Sequence, residues 1–167
     1  GLTPRIALET LDSGEPRINK ISRLIEESRY SIHDVSRMKA GKKGEIARFN
    51  MPFELGLDIG CRIFQHGAAR GKKCLILDKE RYRYQKALSD LSNSDIKAHS
   101  NDPLEISRAV RDWLNNEAGL RAPGQALIDA AFEEFNTDNF ERLTARGFSP
   151  SDIEKLEICE LIGCMRE

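Results

Sequence analysis

Asn50-Met51-Pro52-Phe53-Glu54-Leu55-Gly56-Leu57-Asp58 is the stretch that decides how this chain is read. Pro52 suits the first helical position, where its missing N–H is not needed, so a helix is expected to start within a residue or so of Met51 and to end near Gln65. Glu54 then falls in the first turn. The positive end of the helix dipole and the free backbone N–H groups favour an ionised carboxylate there, which suits binding ribose hydroxyls or stabilising a positively charged sugar transition state. Capping its own helix is an equally good reading of Glu54 from this segment alone.

Working outward, Tyr30-Ser31-Ile32-His33-Asp34-Val35-Ser36 reads as a short strand, and residues 38–45, with Gly41 and Gly44, as a basic loop leading into the helix. Lys73-Cys74-Leu75-Ile76-Leu77-Asp78 is a continuous apolar run bounded by charges, the pattern of a buried parallel strand. Upstream, Arg5-Ile6-Ala7-Leu8-Glu9 reads as a further strand. Asp12-Ser13-Gly14-Glu15-Pro16 then turns the chain into a helix carrying Ile18, Ile21, Leu24 and Ile25. Downstream, a polar helix over 84–92 leads to a strand at Ile96-Lys97-Ala98-His99. Asp102-Pro103 caps a helix whose apolar face is Leu104, Ile106, Val110, Trp113 and Leu114.

This β-α alternation predicts an α/β fold: a doubly wound, flavodoxin-like parallel sheet with helices on both faces. After Gly119-Leu120-Arg121-Ala122-Pro123-Gly124 only helices are expected, with Leu127, Ala131 and Phe135 on one stripe and Ile158, Leu161, Ile162 and Met165 on another. The turn between them is Gly147-Phe148-Ser149-Pro150-Ser151, with Ser149 or Ser151 as N-cap. The expected organisation is an α/β domain over 1–118 and a C-terminal helical extension over 119–167.

With 167 residues, 40% of them hydrophobic, the chain has room for one well-cored domain and a small appendage. Its 26 basic and 27 acidic residues give a formal net charge of −1, so no footprint for DNA or an anionic membrane is visible. No apolar run reaches membrane-spanning length. Cys61, Cys74, Cys159 and Cys164 lack C-x-x-C and C-x-x-H spacing and read as buried thiols of a cytoplasmic protein, not as a metal site or a disulfide framework.

Open parallel sheets take ligands at the carboxyl ends of their strands. That rule selects Asp12, Ser13, Gly14, Asp34, Ser36, Asp78 and Asn101, together with the segment from Arg48 through Asn50 to Glu54. No G-x-G-x-x-G or P-loop spacing occurs, so phosphates would fall to Arg48, Lys42 or Lys43. Each candidate has a plainer role. Asp34 can cap the loop after its strand, and Asp12 beside Ser13-Gly14 can be a turn residue. His33 can face the core, and His66 and His99 show no metal-ligand spacing. Ser13 and Ser36 lack a nucleophile elbow, which argues against a serine hydrolase.

Ser31-Ile32-His33-Asp34-Val35-Ser36-Arg37, followed by Arg48-Phe49-Asn50-Met51-Pro52-Phe53-Glu54-Leu55-Gly56, resembles bacterial TIR-like proteins and the related nucleoside 2-deoxyribosyltransferase-like fold, over about residues 4–116. The resemblance implies cleavage at the N-glycosidic bond of a nucleotide or NAD, in defence or signalling. Glu54 would be the key carboxylate, Asp34 would orient it, and Arg48 or Asn50 would steady a phosphate or hydroxyl. NAD or a nucleotide would be substrate or ligand with no further cofactor, and a homo-oligomer is expected. Two departures stand out. The chain, opening at Gly1, starts one βα unit late, and Met51-Pro52-Phe53 replaces the tryptophan or cysteine that TIR enzymes often carry before the Glu. The same resemblance admits a non-catalytic module that senses nucleotides or self-associates, and a nucleoside deoxyribosyltransferase that borrows an Asn or Asp from a neighbouring subunit.

Overall fold

A three-stranded parallel sheet organises the centre of the chain. The computed structural model describes residues 2–9, 11–38, 40, 42, 44–64 and 71–166, so the expectations on Gly41, Lys43, Gln65 and His66 lie outside the described residues. It divides into two units, Pro16–Arg121 on one hand and Gly1–Glu15 with Ala122–Glu167 on the other. Residues 1–15 therefore group with the C-terminal helices and not with the sheet.

In the central unit, α1 (Arg17–Glu27) leads to β1 (Tyr30–Asp34), α2 (Asn50–Phe64), β2 (Lys73–Asp78), β3 (Lys97–Ala98) and α3 (Pro103–Glu117). The strand order is β1-β2-β3, and both pairings are parallel. The register sets Ser31 beside Cys74, His33 beside Ile76 and Asp34 beside Leu77. Side chains alternate across a strand, which assigns the helices to faces. Tyr30 meets Trp113 of α3 edge-to-face at 6.0 Å, while its neighbour Ser31 bonds Asp58 of α2, so α2 and α3 cover opposite faces. On the α2 face the core is Val35, Leu55, Ile76 and Tyr84, with Met38, Ile59, Cys74, Leu88, Leu91 and Ile96 packed around it. The Tyr84 hydroxyl keeps its hydrogen bond by donating to the Ser94 carbonyl at 3.0 Å.

Three sequence expectations change. Residues 5–9 form no strand: the Glu9 N–H closes a turn on the Ile6 carbonyl at 3.0 Å, and Arg5 pairs with Glu9 one helical turn away. An apolar alternation without a neighbouring strand to pair with does not fix an extended backbone. Residues 84–92 form two short 3-10 turns, Arg83–Lys86 and Ser89–Leu91, because Leu88 leaves the helical range and the Ser92 hydroxyl bonds the Ser89 carbonyl. The helix α2 starts at Asn50, within a residue of Met51 as expected, but Pro52 is its third residue and not its first. Pro52 is tolerated there because the first-turn N–H groups have no partner inside the helix. Glu54 accordingly lies beyond the first turn.

The cap of α3 is as the sequence reads, with Asp102 accepting from the Leu104 N–H at 2.9 Å ahead of Pro103. In the other unit, α4 (Gln125–Ala145), α5 (Pro150–Glu154) and α6 (Ile158–Cys164) follow one another, and Ser149 closes a capping box with Asp152. Leu143 is fully buried, and Phe135, Ile158 and Leu161 are half-buried. Leu127, expected on the packed stripe, is exposed, as is Phe140. No helix among the described residues is long and apolar enough to cross a membrane.

Candidate functional site

Two polar clusters sit at opposite ends of β1 and β2, one built on buried charges and the other open to solvent at Asp34. The buried one lies toward the start of the strands. Asp58, 1% exposed on the core-facing side of α2, accepts from the Ser31 hydroxyl and from His33 Nε2 at 3.2 Å, and its other oxygen lies 3.4 Å from Lys72 Nζ. Lys72 also donates to the Ile25 and Ser28 carbonyls, which ties the end of α1 to this cluster. Burial alone would raise the Asp58 carboxyl, but the hydrogen bonds from His33 and Ser31 and the charge of Lys72 outweigh it and hold the group below its ordinary 3.8. Burial pushes the neighbouring Cys74 thiol up to about 11, against a weaker downward pull from Ser31. His33, Asp58 and Cys74 bring ligand-type atoms within 4.8 Å of one another. The ammonium of Lys72 already balances the carboxylate, and the thiol stays protonated at neutral pH. The cluster is accordingly a charge-compensated core network, in which His33 Nδ1 and Asp58 Oδ1 lack a hydrogen-bond partner among the described residues.

The second cluster lies at the carboxyl edge, where the strands deliver Asp34, Asp78 and His99. Asp34 Oδ1 accepts from the Ser36 N–H at 2.9 Å and faces His99 Nε2 at 3.4 Å, while the side chain stays 40% exposed. His99 itself is buried, and its Nδ1 accepts from the Asn101 N–H at 3.1 Å. Ser100 and Asn101 both adopt left-handed backbone, with φ of 52° and 61°. Such conformations cost free energy in residues other than glycine and persist where the surroundings hold them. Here the Ser100 N–H is anchored on the Lys79 carbonyl at 2.9 Å and the Asp102 N–H on the His99 carbonyl at 2.7 Å. Asp78 is fully buried. Its Oδ1 accepts from the Lys79 N–H at 2.7 Å and from Arg83, whose guanidinium also donates to the Ser36 carbonyl at 2.7 Å and so joins the loops after β1 and β2. Asp78 Oδ2 has no hydrogen-bond partner among the described residues.

The structure sorts the sequence candidates. Asp34, Ser36 and Asp78 meet at one edge together with His99, Asn101 and Arg83. Arg48 and Asn50 are exposed in the loop and first turn leading into α2, and the Arg48 N–H bonds the Arg37 carbonyl at 3.0 Å. Exposed Lys42 donates its backbone N–H to the Glu45 carboxylate at 3.1 Å. Asp12, Ser13 and Gly14 belong to the other unit, where Asp12 Oδ1 accepts from the Gly14 N–H at 2.9 Å, the turn role of its plainer reading. Glu54 does not cap α2. It is 13% exposed and pairs at 3.5 Å with Arg17 of α1, whose side chain is 57% exposed.

Sequence reasoning passed over His99, Arg83, Asp58 and Lys72. Asp58 had a signal, since it follows the core residue Leu55 by three positions and so shares its helix face. His99 had none, because its partner Asp34 is 65 residues away. Comparison of the chain with family models, with curated proteins and with solved structures returned no match.

Proposed function

We propose that this chain binds a ribosylated small molecule of nucleotide or NAD type at the carboxyl edge of its sheet, with Asp34 as the carboxylate that meets the ligand. The observation that carries this reading is the state of Asp34: one oxygen held by Ser36 and His99, the side chain still 40% exposed, at the end of a parallel strand in an open α/β sheet. A carboxylate so held is an acceptor for sugar hydroxyls. Glycosidic cleavage is the reaction such a site serves, because an anion beside the anomeric carbon offsets the positive charge that develops there. Glu54 is the second carboxylate of that reaction. It is released from capping duty, and its partner is a largely exposed arginine at the long distance of 3.5 Å, a pair that a ligand can displace at little cost. The test is incubation of the intact protein with NAD and a panel of nucleotides and nucleosides, beside Glu54→Gln. Ligand binding should survive in the variant while turnover falls by orders of magnitude. Binding without turnover in the wild type would leave a sensing module, and neither would refute the reading.

A self-associating module is the second reading. It is favoured by Phe49, Phe53, Ile63 and Phe64, which stand exposed along and just before α2. Sedimentation of the wild type beside Phe53→Ser decides it, since a monomer in both would remove it.

A further inference from the structure

We propose that His99 and Asn101 are positioning residues for Asp34, forming a relay that fixes one carboxylate oxygen and offers the other to a hydroxyl donor of the ligand. The inference rests on the binding reading above and deepens it by naming the ligand group that Asp34 receives. It begins with hydrogen-bond polarity. A backbone N–H can only donate, so the Asn101 amide, 3.1 Å from His99 Nδ1, requires that nitrogen to be bare. The neutral ring then carries its proton on Nε2, the atom facing Asp34 Oδ1 at 3.4 Å. With the Ser36 N–H on the same oxygen at 2.9 Å, Oδ1 is engaged twice. Oδ2 accepts no hydrogen bond among the described residues. It is the acceptor left at the exposed side of the residue.

The left-handed turn is what makes the relay work. Two consecutive residues with positive φ, Ser100 and Asn101, swing the Asn101 amide back onto the ring of the residue two positions before it. A neutral His99 supplies a proton donor and no charge, so Asp34 keeps its full negative charge toward the ligand. A phosphate is thereby repelled from Asp34 and a hydroxyl pair, such as the 2′,3′-diol of ribose, is favoured. A ligand with both groups must orient its sugar, not its phosphate, onto β1.

Two measurements test this. Long-range proton–nitrogen correlation spectra of the free, intact protein at pH 7.5 read the His99 tautomer directly. The Nε2–H form is expected, and the Nδ1–H form or a charged ring would overturn the relay whatever the protein binds. Calorimetry with ADP-ribose and with inorganic pyrophosphate as probes then reads the ligand half. His99→Leu should weaken ADP-ribose binding by about tenfold or more, the loss of one hydrogen bond to a charged acceptor. His99→Gln, which retains an N–H donor at nearly the same reach, should recover most of that loss, and pyrophosphate should respond to neither change. Equal loss in both variants, with both folded by their amide spectra, would reduce His99 to a packing residue and overturn the proposal. Failure of the wild type to bind ADP-ribose while His99 shows the expected tautomer would overturn the binding reading itself.

Discussion

Lys72 Nζ lies 3.4 Å from Asp58 Oδ1 with both side chains at most 3% exposed, so two almost fully desolvated charges of the central unit are each other's partners. Lys72 further holds two carbonyls at the end of α1, and Asp58 holds Ser31 and His33 of β1. One ion pair thus fastens α1, α2, β1 and the start of β2.

Breaking that pair from one side should be costly. Lys72→Met leaves Asp58 buried and uncompensated, and urea unfolding should show a loss of about 3–5 kcal/mol. The double variant Lys72→Met with Asp58→Asn should recover much of it, because no bare charge remains. Additive losses would show that the two residues do not act as a pair.

Acid stability should carry the mark of Asp58. Its carboxyl is held below the ordinary 3.8 in the folded protein, so the stability it contributes is fully present above that value. Protonation removes that stability progressively as pH falls through the folded value. The acid limb of the stability curve below about pH 4 should therefore be steeper in the wild type than in Asp58→Asn. Parallel limbs would contradict the assignment.

Cys74 should be inert. With its thiol pushed up to about 11 by burial, almost none is thiolate at pH 8. Alkylation read by peptide mass spectrometry should modify Cys74, half-buried like Cys61 and Cys159, far more slowly in the native protein than in denaturant. Because the folded value lies above the ordinary 9.0, stability from this group is full below pH 9 and declines as pH rises toward 11.

Leu55 is 1% exposed beneath β1 and β2, and Leu55→Ala should cost about 2–5 kcal/mol with no change in the tautomer of His99. A change at His99 would show that the carboxyl edge depends on this part of the core.

What was legible in the sequence follows from how local each signal is. β2 reads at once because a strand with four of its six residues buried needs a continuous apolar run, and the Asp102-Pro103 cap reads because its hydrogen bond spans two residues. Residues 5–9 misled for the opposite reason: strand identity depends on a partner that a local pattern does not contain. The start of α2 at Asn50 is within a residue of Met51 as the sequence reads, but proline fits several first-turn positions, and with Pro52 third in the helix Glu54 falls beyond the first turn, where it pairs with Arg17. Asp34 was legible as the end of a strand. Its partner His99 was not, since the pairing exists only after β1, β2 and β3 align.

The central claim is that a ribosylated ligand meets Asp34 at the carboxyl edge, and amide chemical-shift mapping of ADP-ribose on the wild type and on Asp34→Asn tests it most directly. Asn retains an acceptor for the Ser36 N–H, so the variant removes charge with little change of shape. The account predicts shifts concentrated at residues 34–37, 78–83 and 99–102 in the wild type and their loss in the variant. Shifts confined to residues 122–167, or shifts of equal size in Asp34→Asn, would contradict it.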